Sequence, residues 1–189
     1  MRFNEEASNP MLVGALNLYM AEDTDEHRKL LTEELVKATF LAPALVEPAP
    51  QKDAEGRTIV ANGSRIQLPM LTTREGERYF ILYTDKKCLD EANEAGDKAT
   101  PEKYRDNYVA VSLSEIGGML TNLPPENGEE NPLQGVIINP FNEKFVVRKE
   151  MPIGLFKSKM EAMRLKAEKE RMESEDPGKV IPFPGTRTT

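Results

Sequence analysis

The chain has 189 residues, 30 % charged and 39 % hydrophobic, with a formal net charge of -7, no Trp and few other aromatic residues. The length suits one domain with appendages, and the acidic balance argues against nucleic acid, whose binders need basic side chains on phosphates and rings for base stacking. No apolar run is long enough for a membrane span, MRFNEEASNP has no apolar leader region, and Cys88 is the only cysteine; the expectation is a cytoplasmic protein with no disulfide, no thiolate metal cage and no membrane partner.

Two helices are expected first. Asn9 stands at a capping position and Pro10 at a first helical position, with Leu12, Leu16 and Tyr19 at helical spacing and Val13 and Met20 beside them. Thr24 is expected to cap the second helix. Asp25 and Glu26 put negative charge at its positive end, and Leu31, Leu35 and Ala38 continue its apolar face. A β-rich stretch follows. TFLAPALV (39–46) reads as one strand in which Pro43 requires an edge or a bulge. After the EPAPQKDAEG loop, Asn62-Gly63 reads as a two-residue hairpin turn that sets Ile59 opposite Ile66. A strand runs from Pro69 to Thr73, REGE turns, and YFILYT (79–84) returns.

From there strands and helices alternate. YFILYT is nearly all apolar, as a strand covered on both faces should be. Residues 86–95 predict a helix with Cys88, Leu89, Ala92 and Ala95 along one side; YVAVS (108–112) predicts a strand, and Ser114 a cap for a short helix through Leu120. PPENGEEN is an acidic loop, and GVIIN and KFVVR form two further strands around a Pro-Phe-Asn turn. The fold class is therefore α+β: a mixed β-sheet of about five to six strands with helices packed on it, plus a charged C-terminal helix. The domain is expected over 1–153, the helix over 154–173 and a Pro-containing tail over 174–189. In the helix, Phe156, Met160, Met163 and Ala167 fall at coiled-coil-like steps. Its pairs Lys157 with Glu161, Arg164 with Glu168, Lys166 with Glu170 and Lys169 with Glu173 all put the base first, the weaker order, so a partner surface is expected. In the tail, Pro177 and Gly178 stop the helix, and Val180, Ile181 and Phe183 alternate with Pro182 and Pro184 as in an extended docking segment.

No phosphate-loop, dinucleotide, zinc-protease or hydrolase motif is present, and no cofactor is expected. Gly117-Gly118 lacks the Lys of a phosphate loop and reads as a tight helix approach or a helix end. Asp23, Asp25 and His27 imitate the start of a calcium loop, but Arg28 stands where that loop needs Gly, and capping acids explain them better. His27 and Cys88 could make a base and a nucleophile. Cys88, on the apolar side of its helix, reads instead as a small buried hydrophobe. Glu126, Glu129 and Glu130 read as a solvated loop.

The stretch GVIINPFNEKFVV (135–147) is the most apolar of the chain. Asn139 can bond the backbone two residues on while Pro140 fixes φ, a turn that needs no ligand and whose loss in Asn139→Ala costs about 1 kcal/mol. Ligands also tend to sit at strand ends of α/β sheets. Asn139, Pro140 and Phe141, with Ile181 and Phe183 of the tail, are the candidate ligand or partner surface.

Three blocks carry a family likeness: LNLYMAEDTDEHRKLLTEELVKATFLAPAL (16–45), LPMLTTREGERYFILYTDKKCLDEA (68–92), and YVAVSLSEIGGMLTN followed by GVIINPFNEKFVV. In this order and spacing the chain resembles the N-terminal domain of the bacterial SseB-like family (enhanced serine sensitivity) over about residues 10–155, with Ile138-Asn139-Pro140 as the best marker. The resemblance implies a cytoplasmic bacterial protein, a recurring structural turn at Asn139 and no catalytic residues to carry over. A charged helix and tail follow where a second SseB domain could stand. The leading expectation is a non-enzymatic protein-binding or regulatory domain, whose unidentified protein partner meets the C-terminal helix and tail. The rival is a small-ligand-binding protein or weak enzyme using strand ends near Thr84, Ser112 and Asn139.

Overall fold

The computed structural model describes residues 2–55, 58–95, 101–124, 131–141 and 144–174. Strand β1 (Arg2–Phe3) precedes helices α1 (Pro10–Ala21) and α2 (Asp25–Lys37). Seven short strands follow: β2 (Phe40–Pro43), β3 (Leu45–Glu47), β4 (Gln51–Lys52), β5 (Thr58–Ile59), β6 (Arg65–Gln67), β7 (Met70–Thr72) and β8 (Arg78–Leu82). Then come α3 (Lys86–Glu94), β9 (Tyr108–Val111), α4 (Leu113–Thr121), β10 (Leu133–Ile138), β11 (Phe145–Arg148) and α5 (Glu150–Ser174). Residues Met1–Phe156 form one compact unit and Lys157–Thr189 a second.

The first unit is α+β. Four strands stand in the order β11-β10-β8-β7, with β8 and β10 parallel and the other pairs antiparallel. Three more stand in the order β1-β9-β2. Leu41 and Tyr83 exchange two backbone hydrogen bonds, at 2.9 and 2.8 Å, and so join the two sets past the end of β7. β3 pairs with β6 and β4 with β5 in small antiparallel ribbons.

Alternation along β8 explains the apolar run YFILYT. Phe80 and Leu82 face a core shared with Leu12 and Leu16 of α1, Leu31 and Leu35 of α2, and Leu113 and Ile116 of α4. Tyr79, Ile81 and Tyr83 face the other side, under Leu89 and Ala92 of α3. A strand walled on both faces carries apolar side chains at successive positions.

Several local expectations hold. Pro10 opens α1; Thr24 caps α2 by accepting the His27 N–H at 3.1 Å; Leu31, Leu35 and Ala38 are buried. REGE turns with Gly76 at φ +86. Gly117 and Gly118 lie within α4 and allow the start of α5 to approach: a Cβ on Gly117 would stand 1.8 Å from the Pro152 carbonyl oxygen, and one on Gly118 3.0 Å from the Phe156 ring. Neither is a phosphate loop.

Other expectations are corrected. TFLAPALV is not one strand; after Pro43 the chain leaves β9 and pairs with β6. Asn62-Gly63 does turn, with Ser64 N–H donating to the Ala61 carbonyl at 3.1 Å, but it joins no paired strands. Ile59 stands opposite Gln51 and Ile66 opposite Val46, because the longer excursions between those strands satisfy the ladder instead. The cap of α4 is Ser112, not Ser114: Ser112 accepts the Glu115 N–H and Glu115 accepts the Ser112 N–H, a reciprocal box. Helix α5 begins at Glu150, before the expected 154. Met20 and Ala95 are exposed.

Candidate functional site

Because β8 and β10 are parallel, their C-terminal ends lie side by side, and the chain leaves them at Thr84 and Asn139. Both residues are buried, at 0 % and 1 % exposure. Buried amides and hydroxyls need partners, and these two supply each other. Asn139 Oδ1 accepts the Thr84 backbone N–H at 3.1 Å, and Asn139 Nδ2 donates to Thr84 Oγ1 at 3.0 Å. The Asn139 N–H donates to the Leu82 carbonyl at 2.9 Å and extends the parallel ladder. Asn139 sits at φ +45, a left-handed conformation that asparagine tolerates better than most residues.

Asn9 closes the junction from the other side. It occupies the cap position of α1 without capping it. Its Nδ2 donates to the carbonyls of Thr39 at 2.7 Å and Thr84 at 2.6 Å, and its Oδ1 accepts the Thr39 N–H at 3.3 Å. Thr84 Oγ1 donates to Asp85 Oδ2 at 3.0 Å, and Asp85 Oδ1 caps α3 by accepting the Cys88 N–H at 2.9 Å. The Asn139 side chain thus bonds a residue 55 positions away, a partner that the reading of a local turn does not supply. These polar atoms fasten α1, α3, β8 and β10 together, and that work leaves them little to offer a ligand.

Beside the junction lies a hollow of 230 Å³ against Tyr83, Cys88, Ala92 and Phe141. Pockets for drug-sized ligands usually start at about 300 Å³. Pro140 is half-buried, and Phe141 is 47 % exposed at the rim. Thr84 and Asn139 are brought together, whereas Ser112 caps α4. Ile181, Phe183, Glu126, Glu129 and Glu130 lie outside the described residues. Cys88 is half-buried rather than buried and packs against the Tyr79, Ile81 and Tyr83 side of the core, with its sulfur 3.7 Å from Asp85 Oδ2. His27 lies on α2 with Nδ1 2.7 Å from the Glu22 carbonyl, so the two residues have separate settings. Asp23 and Asp25 both bind Arg28, at 2.6 and 3.3 Å.

Sequence reasoning missed a cluster on the outer sheet face. Glu77 Oε2 accepts from Tyr79 Oη at 2.7 Å, Glu77 Oε1 accepts from Arg148 at 3.0 Å, and the Arg148 guanidinium stands 5.6 Å from the Tyr79 ring centre. The hydrogen bonds from Tyr79, then Arg148, lower the Glu77 carboxyl below its ordinary range. Burial, then the bond to Glu77, raises the Tyr79 hydroxyl. The cluster borders a 400 Å³ hollow with Leu71, Ile137 and Val146 on its floor and Lys144 at its rim. Alternation along each strand is visible in the sequence, but only the sheet order places β11 near β8.

On the opposite face an open groove of 390 Å³ runs between β11 and α2. Arg28, Leu31, Thr32 and Leu35 form its α2 wall, at the spacing of one helical face. Phe145, packed edge-on against Tyr19 with ring centres 5.9 Å apart, and Val147 form part of the other wall.

Among the described residues, no group of three or more His, Cys, Asp or Glu is placed to hold a metal ion, and no helix is long and apolar enough to cross a membrane. No curated protein and no solved structure matches the chain. The family model of the SseB protein N-terminal domain matches residues 12–151. That span runs from the buried Leu12 of α1 through the Thr84–Asn139 junction to the first turn of α5. The chain therefore belongs to the SseB family.

Proposed function

We propose that this SseB-family chain is a non-enzymatic, cytoplasmic protein-binding or regulatory domain. One observation carries the reading. Along the second unit, α5 sets Met160, Met163, Leu165 and Met172, 49 %, 57 %, 54 % and 76 % exposed, among charged side chains. Methionine is flexible and polarizable, and an exposed set of it on one helix suits a protein surface that must be matched rather than a small molecule that must be enclosed. Arg164 holds Glu161 at 2.8 Å and approaches Glu168 at 3.9 Å; such exposed pairs add about 0.5 kcal/mol or less, so they solubilise the helix more than they stabilise it. The single cysteine supports a reducing compartment.

The test is affinity capture from the native host with mass spectrometry, comparing the full chain with Met160→Gln/Met163→Gln. Proteins captured by the former and lost by the latter support the reading. Identical captures, with equal melting temperatures, overturn it. A small-ligand site at the strand ends is the second reading, favoured by the hollow under Phe141; specific retention of a metabolite by the purified protein would promote it.

A further inference from the structure

The outer edge of β11 has features that α5 does not share. β11 ends the order β11-β10-β8-β7, so among the described residues no strand pairs with its other side. The ladder shows which backbone groups lie there. Lys149 N–H donates to the Gln134 carbonyl at 2.7 Å, while Asn139 N–H donates the other way, to Leu82 of β8. Backbone direction alternates along a strand, so Val136 and Ile138 bond to Val147 and Phe145. The N–H and C=O groups of Val146 and Arg148 then point away from β10, into the groove beside α2.

Side chains follow the complementary rule. Phe145 and Val147 face the groove, while Val146 and Arg148 face the hollow over Ile137 and Tyr79. Both Val146 and Arg148 nevertheless border the groove, as their outward backbone requires. An added strand would therefore find hydrogen-bond donors and acceptors on the edge itself, an apolar trough on one face, and exposed Val146 between Lys144 and Arg148 on the other. Arg148 already holds Glu77, which leaves the exposed Lys144 ammonium to set the sign of that face. This sign is opposite to the chain's net charge of -7.

We infer that β11 receives an extended segment of another protein by strand addition, between the edge and α2. Its alternate residues are apolar, lying on the half-buried Tyr19, Phe145 and Met151 of the groove, and the intervening residues include a carboxylate that meets Lys144. Backbone bonds to Val146 and Arg148 provide affinity; the alternation provides selectivity. The inference rests on the protein-binding reading but uses a surface separate from Met160 and Met163, so each can fail alone.

The probe is an end-capped, eight-residue peptide of alternating valine and glutamate, titrated into the full chain by fluorescence anisotropy. Val146→Pro removes one outward N–H and leaves the β10 ladder intact. We expect binding to the wild type, loss of about tenfold in affinity in Val146→Pro with an unchanged circular dichroism spectrum, and a smaller loss in Lys144→Glu. If Val146→Pro alters the fold, amide exchange on the wild type decides: peptide must slow the Val146 and Arg148 amides. Equal binding of a same-composition peptide without alternation, of a valine–threonine alternate, or no binding by wild type overturns the inference. So does binding by Met160→Gln/Met163→Gln at reduced affinity, since that would place the peptide on α5.

Discussion

The Thr84–Asn139 junction and the outer edge of β11 are both built from strand backbone, and they spend it differently. At the junction, Asn139 and Asn9 tie off the backbone groups of Thr39 and Thr84, with Thr84 and Asn139 almost wholly buried. At the edge, the backbone groups of Val146 and Arg148 point into an open groove. The junction contains the conspicuous part of the sequence, Ile138-Asn139-Pro140, yet its polar atoms are used in holding elements together. The edge lies in FVVR, an ordinary strand. A memorable motif can mark the place where a fold closes, while a docking surface can be carried by residues that look unremarkable in the sequence.

The largest effect should appear where the comparison is sharpest. Asn139→Ala deletes both side-chain bonds to Thr84 and leaves its buried N–H and hydroxyl without those partners. An unsatisfied buried group costs about 1–3 kcal/mol, so we expect a loss of about 3 kcal/mol, well above that of a local turn bond. Urea denaturation reads it directly. A loss no greater than that of an exposed turn residue would show that the junction is not the fastening we describe.

What was legible in the sequence follows range. Pro10, the Thr24 cap and the two-faced strand YFILYT depend on neighbours within a few positions, and each formed as expected. The helix approach at Gly117-Gly118 was legible as a possibility because two small residues in a helix suggest a close neighbour, though not which one. Asn9 reads as a cap in the sequence, since Asn before Pro is a capping signal. Its real partners, Thr39 and Thr84, are 30 and 75 residues away, and no local pattern encodes them. The Ile59–Ile66 pairing failed for the same reason: Asn62-Gly63 predicts a turn, while the strands on either side find other partners. The edge position of β11 depends on the order of all four strands, so the groove beside α2 could not be read from the chain.

A second variant tests whether the junction is one unit. Asn9→Ala removes the bonds to Thr39 and Thr84. The expected loss is about 2 kcal/mol, less than at Asn139 because Asn9 is only partly buried. In a double-mutant cycle with Asn139→Ala, the shared contact with Thr84 should make the losses non-additive by at least about 0.5 kcal/mol. Strict additivity would separate the α1 tie from the β10 tie and divide the junction into two independent contacts.

The smallest effect belongs to the face that borders the β11 edge, and its sign can be worked out. Glu77 accepts hydrogen bonds from Tyr79 and Arg148, which lower its folded-state carboxyl below the value it has when unfolded. A depressed carboxyl favours the folded state while ionised. Its contribution is therefore fully present above the unfolded carboxylate range and is lost as pH falls through the lower, folded-state value. Glu77→Gln carries no such titration. The melting temperature of the wild type should exceed that of Glu77→Gln at neutral pH, and the gap should close steadily on acidification below the usual carboxylate range. Because Glu77 and Arg148 are substantially exposed, at 39 % and 57 %, added salt should narrow the neutral-pH gap as well. A gap that stays constant from neutral to acid pH would mean that shape at position 77, rather than charge, anchors Arg148. In that case Arg148 would keep its place over Tyr79 without the carboxylate, and the positive face beside β11 would be set by packing against the ring.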